Sequence, residues 1–246
     1  MPKECAFCPH EGKLSAEHVV SDWMKSLFPG KKLFTRRNRA GQIISQTIQE
    51  EIDWTAKVVC EKCNNTWMSN IESQHAKPAM TALMIGKKNV PIPQASAHSI
   101  ALFAFKTAVV LDHTQRKREP FFSRRVRHAF RQHLDIPRTL HMWMAGFASR
   151  TSVHFHTGYY KGTLPPSNPL EMYICTCGIG HFVFQVVAQK QIGFTGFYPR
   201  TGFEKLAVPL WPRVWPQFVW PAANVLRTLK DFDAFSERWK DVFPSR

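Results

Sequence analysis

Cys5 and Cys8 stand two residues apart in "CAFC", and Cys60 and Cys63 repeat the spacing in "CEKC". Thiolates at this spacing reach one metal from a single turn. Two such pairs complete the tetrahedral sulfur set that Zn2+ prefers. The long gap between the pairs closes a loop with room for strands. Four protein ligands leave no position open for substrate, so the ion is structural, and the unit it staples depends on it to fold. His10 is an alternative fourth ligand. Cys175 and Cys177 form C-x-C without a second pair and read as core or hairpin cysteines.

Between the knuckles lies "LSAEHVVSDW". Adjacent Glu17 and His18 point to opposite sides of a fully extended strand, whereas at a strand end or turn both can line one pocket. On its own such a pair is weak evidence of chemistry. After the second knuckle, "CNNTWMSN" places two asparagines directly against Cys63.

The order of these parts, "CAFC", then "AEHV", then "CEKCN", resembles the HNH, or ββα-metal, endonuclease family. The resemblance covers roughly the first third of the chain, and "LFAFKTAVVLD" extends it weakly. It implies that an acid–His pair ends a first strand and that the second knuckle opens a helix. Glu17 stands at the carboxylate ligand of a catalytic Mg2+ or similar ion. His18 stands at the general base and Asn64 at the helix-borne amide ligand. The chemistry agrees: Mg2+ takes oxygen ligands and keeps waters, and a neutral imidazole accepts a water proton near pH 7. Asn65 is expected to hydrogen-bond at the helix start, and His75, three turns further on, to be a surface residue. The acid is Glu where the family more often has Asp. The family usually has a middle Asn shortly before the second knuckle that braces the histidine loop; here "EEIDWTAKVV" has none, so either Asp53 or Thr55 substitutes or the brace is missing.

A nuclease must also hold the backbone of its substrate. The chain carries a formal net charge of +15 and a pI of about 9.8, a balance suited to an anionic partner such as nucleic acid. Residues 116–131 contain seven Arg or Lys and one acid. On a helix, Phe122, Val126 and Phe130 make an apolar stripe, with Arg124, Arg127, His128 and Arg131 facing away towards phosphates. "KKLFTRRNR" adds Arg36 and Arg37 beside the expected active site. The tryptophans of "PLWPRVWPQFVWP" are expected to pack a β domain's edge rather than to stack on bases.

These residues need elements to position them. A strand follows the first knuckle, "FTRRNRAGQIISQTI" reads as strand-turn-strand about Ala40-Gly41, and "WTAKVV" enters the second knuckle as a strand. A helix runs from Cys63, with Trp67, Ile71 and Ala76 near one face and Glu72 on a polar side. "VPIPQAS" is a linker or extended tie. Helices are expected over 99–112, 121–134 and 222–239, and strands in "TLHMWMAGFA", "SVHFHTGYY", "LEMYICTC" and "GHFVFQVVAQ". The proline-rich stretch is unsuited to a central strand.

The expected class is α+β: residues 1–90 a zinc-stapled ββα-metal unit, 91–246 a larger basic α+β domain that binds nucleic acid or regulates. The polar, cysteine-bearing start is unlike a signal peptide, and "SIALFAFKTAVVL" is short for a membrane span and carries Lys106. A cytoplasmic location without membrane contact is expected. The function implied is metal-dependent hydrolysis of nucleic-acid phosphodiesters, DNA first, in a setting such as defence against foreign DNA. The alternative is a non-catalytic zinc-knuckle module that binds nucleic acid or protein.

Overall fold

A computed structural model describes residues 4–29, 32–37, 43–49, 54–114, 119–148, 153–164, 168–190, 203, 205–212, 216–221 and 224–237. The class is α+β, as expected. Strand β1 (Ser15–His18) is followed by a short helix α1 (Asp22–Lys25) and a hairpin of β2 (Lys32–Arg37) and β3 (Ile43–Gln49). The expected turn at Ala40-Gly41 lies outside the described residues. β4 (Thr55–Val59) returns antiparallel to β1.

The second knuckle opens helix α2 (Glu61–Cys63), which continues without a break through π-wound stretches Asn64–Met68 and Ile71–Ala76 into α3 (Lys77–Met84). Pro78 does not interrupt it; it stands where the π-wound stretch Ile71–Ala76 gives way to α3. β1, β4 and this helix form a ββα arrangement.

"VPIP" is more than a linker. As β5 (Val90–Pro93) it pairs antiparallel with β11 (Gln217–Trp220) from the proline-rich stretch. Helix α4 (Gln94–His113) begins directly after it and is longer than its apolar stretch suggested. Among the described residues it alone is long and apolar enough to cross a membrane, yet most of it is buried inside the protein. α5 (Arg124–His133) is capped by Ser123, whose Oγ accepts from the Val126 N–H.

The second half is built on a six-stranded sheet. The antiparallel neighbours are β10 (Val208–Trp211), β6 (Leu140–Phe147), β9 (Phe182–Gln189), β8 (Asn168–Ile179) and β7 (Val153–Leu164), and β12 (Val225–Leu226) runs parallel beside β6. β10 lies at one end, where a strand containing prolines is tolerated. Helix α6 (Leu229–Glu237) closes the described chain, inside the span expected for it.

β6 and β9 are apolar on both faces because the sheet is covered on both. Met142, Met144, Cys175, Cys177 and Phe184 meet the side of α4, while Trp143, Ala145, Ile174 and Val183 pack with Phe232 and Phe235 of α6. Buried Gln185 donates to Thr176 Oγ1 (2.9 Å) and to the Phe235 carbonyl (3.0 Å), so its amide is satisfied in this interior. One core runs from Cys5 through α4 to Trp220, across the expected boundary at residue 90.

Candidate functional site

The knuckles bring Cys5, Cys8, Cys60 and Cys63 together, all buried, with their sulfurs within 4.8 Å of one another. Cys8 and Cys60 sulfurs are 3.6 Å apart, well beyond a disulfide bond. Zn–S bonds of about 2.3 Å in a tetrahedron set sulfurs roughly 3.8 Å apart, so the set fits zinc. Backbone N–H groups already serve it: Phe7 and Cys60 donate to Cys5 Sγ at 3.5 and 3.3 Å. The Cys5 thiol is held down at about 4, first by the Cys63 thiol and then, against burial, by those N–H groups. The same contact pushes Cys63 up, and burial raises Cys8. His10 is exposed and is not among the clustered ligands; its carbonyl accepts the Cys5 N–H at 3.0 Å. Cys175 and Cys177 are buried in β8, sulfurs 3.7 Å apart, as core cysteines.

Phe7, between the first pair of cysteines, points inward and meets Trp67 edge-on at 4.9 Å. Both rings reach Phe130 of α5. The knuckles are therefore fixed to the core by aromatic packing as well as by sulfur.

β1 carries the Glu17–His18 pair at its end. His18 lies opposite Thr55 and Glu17 opposite Ala56, with a bulge between Ser15 and Glu17. A bulge bends the strand and re-aims its side chains. Ala16, His18, Thr55 and Lys57 lie on the accessible side, whereas Glu17 is 3% exposed. His18 Nε2 is 3.6 Å from Asp22 Oδ1, and Asp22 also pairs with Lys25 at 2.7 Å. That Lys25 contact, followed by the His18 charge, holds the Asp22 carboxyl below its ordinary range despite a burial penalty.

Asn64 reaches the same strand from the start of the long helix. Its Nδ2 donates to Ser15 Oγ at 3.3 Å and to the Ala16 carbonyl at 3.2 Å. Asn65 is not the helix-start hydrogen bonder expected: the helix begins at Glu61, and Asn65 is exposed one turn further on. His75 is exposed, as expected. Thr55 stands across from His18, whereas Asp53 lies outside the described residues.

Glu17 faces a partner that no sequence motif assigns to it. Lys106 of α4, 1% exposed, donates to Glu17 Oε1 at 2.6 Å and to Glu72 Oε1. Burial works against the ammonium, but the charges of Glu72 and Glu17 outweigh it and hold the amine above its ordinary range. This placement does not fit a hard divalent ion on Glu17, because the carboxylate is turned inward and already neutralised. Glu72, expected on a polar side, leans into this buried contact. The signal that pointed to it was Lys106 itself: a lysine inside "ALFAFKTAVVL" is buried only with a partner.

Arg127 requires a correction. It was expected to face away from the apolar stripe, yet it is 8% exposed. It stands one turn before Phe130, on the same helix face. Its Nε donates to the Phe122 carbonyl at 3.0 Å, and Nη1 donates to the Ala6 carbonyl in the first knuckle. Arg124 is exposed and paired with Glu4 at 3.0 Å, Arg125 is exposed, and Arg131 is half-buried. Arg36 and Arg37 lie in β2, and their side chains are outside the described residues. Trp220 is buried and Trp211 packs against the core, donating to the Pro137 carbonyl at 3.4 Å. No protein-family model, no curated protein and no solved structure matches the chain.

Proposed function

We propose that the protein is a zinc-stapled hydrolase of the HNH type that acts on phosphodiester bonds of nucleic acid, DNA first. The observation that carries this reading is the ββα arrangement in which Asn64, at the helix that Cys60 and Cys63 open, is bonded to the bulged strand ending in His18. The sulfur cluster supports it, since it fixes the helix start beside that strand.

In this reading His18 accepts a proton from water and directs the hydroxide at phosphorus. Asp22 Oδ1, 3.6 Å from Nε2, is the acid that stands beside the ring. Lys57, on the same accessible side of β4, is placed to meet a phosphate oxygen, and Arg124 and Arg125 extend the basic surface. The ion ligation that the resemblance assigns to Glu17 would require Lys106 to release that carboxylate. The wider assignment to defence against foreign DNA rests on the resemblance alone.

The test is nicking of supercoiled plasmid in the presence of Mg2+ or Mn2+. Wild-type protein is expected to nick, and His18→Ala to lose the activity while keeping zinc and nucleic-acid binding. One observation favours the alternative of a non-catalytic zinc-knuckle module: the Glu17–Lys106 pair. Wild-type protein that binds plasmid but never nicks it would decide for that alternative.

A further inference from the structure

Glu17 and Glu72 come from different elements, β1 and the π-wound helix, and both turn their carboxylates to Lys106 in the middle of α4. Two carboxylates this close to one point repel unless a cation or a proton lies between them. Side-chain exposure is 1% for Lys106, 4% for Glu17 and 19% for Glu72, so water screens the group weakly. The ammonium also lies over the face of Phe103, with Nζ 5.3 Å from the ring centre. The ammonium is thus held by two charges and a ring, in a helix whose neighbouring residues are all buried.

We propose that Lys106 is the resident cation of this carboxylate pair. It excludes divalent ions from Glu17 and acts as a positioning residue for the strand end. With Glu17 drawn inward, its neighbour His18 is presented outward beside Thr55, and the bulge at Ala16 is fixed by Asn64. The inference concerns ion occupancy. It does not depend on whether the protein cuts nucleic acid, so a failure of the nuclease reading leaves it standing and its own failure leaves plasmid nicking to be judged separately.

The test is a titration of the zinc-loaded full chain with Mn2+ at neutral pH, following the spin-resonance signal of the free aquo ion. Wild type and Glu17→Gln are expected to bind Mn2+ equally weakly. Lys106→Met, which leaves the two carboxylates without their cation, is expected to gain a site about tenfold or more tighter, abolished again in Lys106→Met/Glu17→Gln. Two results overturn the proposal. One is a wild-type site that Glu17→Gln weakens about tenfold, in the range seen when a ligand's support is removed. The other is a folded Lys106→Met that gains no site. If Lys106→Met does not fold, the comparison of wild type with Glu17→Gln decides.

Discussion

Arg127 donates to the carbonyl of Ala6, joining helix α5 to the first cysteine knuckle across 121 positions of chain. The bond lies in the interior, and the guanidinium is also used by the Phe122 carbonyl. A basic helix that reads as a nucleic-acid surface therefore has one arginine holding the cysteine knuckle in place. Arg127→Met keeps the apolar stem and removes both donors. It should destabilise the protein by about 2–4 kcal/mol, since two buried carbonyls lose charged partners. Urea unfolding monitored by tryptophan fluorescence reads this directly.

The exposed arginines of the same helix should behave in the opposite way. Arg124→Ala/Arg125→Ala is expected to leave the unfolding midpoint nearly unchanged. It should weaken binding to duplex DNA and lower the slope of log affinity against log salt by about one for each phosphate left without its arginine. Fluorescence anisotropy at several salt concentrations separates the two arginine roles.

Zinc removal should unfold the knuckle unit. Binding to four thiolates contributes on the order of 10 kcal/mol in small zinc domains. The reduced protein is expected to carry one zinc per chain by elemental analysis. Cys60→Ser, or chelation, should abolish the edge-on packing of Phe7 on Trp67 and with it the near-ultraviolet circular dichroism of Trp67.

Lys106→Met should be among the most damaging single substitutions, because it leaves buried carboxylates without their cation. Breaking such a pair from one side costs about 3–5 kcal/mol. Glu17→Gln keeps the shape and leaves Glu72 on Lys106, so it should cost distinctly less. Denaturant midpoints of the two variants, measured in parallel, check the order.

Gly180 turns β8 into β9 with φ +58°, a conformation that glycine adopts readily. A Cβ there would lie 2.5 Å from both the Met84 carbonyl and the Phe28 ring. His181 also donates its N–H to the Met84 carbonyl at 2.9 Å. Gly180→Ala should therefore prise the hairpin off the end of α3 and cost at least about 2 kcal/mol. Thermal unfolding reads the loss.

The features legible in the sequence were those whose physics is local. C-x2-C spacing is set by the reach of two thiolates in one turn, and both pairs are where they were expected to meet. Strands β6 and β9 announced themselves as apolar runs with aromatic residues, joined in β9 by valines. Contacts set by the phase of one element against another were not legible. Arg127 was assigned by charge rather than by its position one turn from Phe130. Glu72 follows a π-wound stretch, and each π turn takes one residue more than an α turn, which rotates every later side chain about the axis. Lys106 gave a signal as a charge inside an apolar helix, but the sequence offered no means of naming its partners from separate elements.

The pairing of Val90–Pro93 with Gln217–Trp220 bears on how such a protein is inherited. The motif-bearing unit of residues 1–90 ends at the first residue of β5, whose pairing partner is Gln217–Trp220. Cut there, it would lose Lys106 from beneath Glu17 and Phe130 from beside Phe7. Recombination that transplanted the knuckles alone would deliver a fragment with an open flank. The smallest heritable cassette that keeps this centre intact has to include α4, α5 and a surface to receive them.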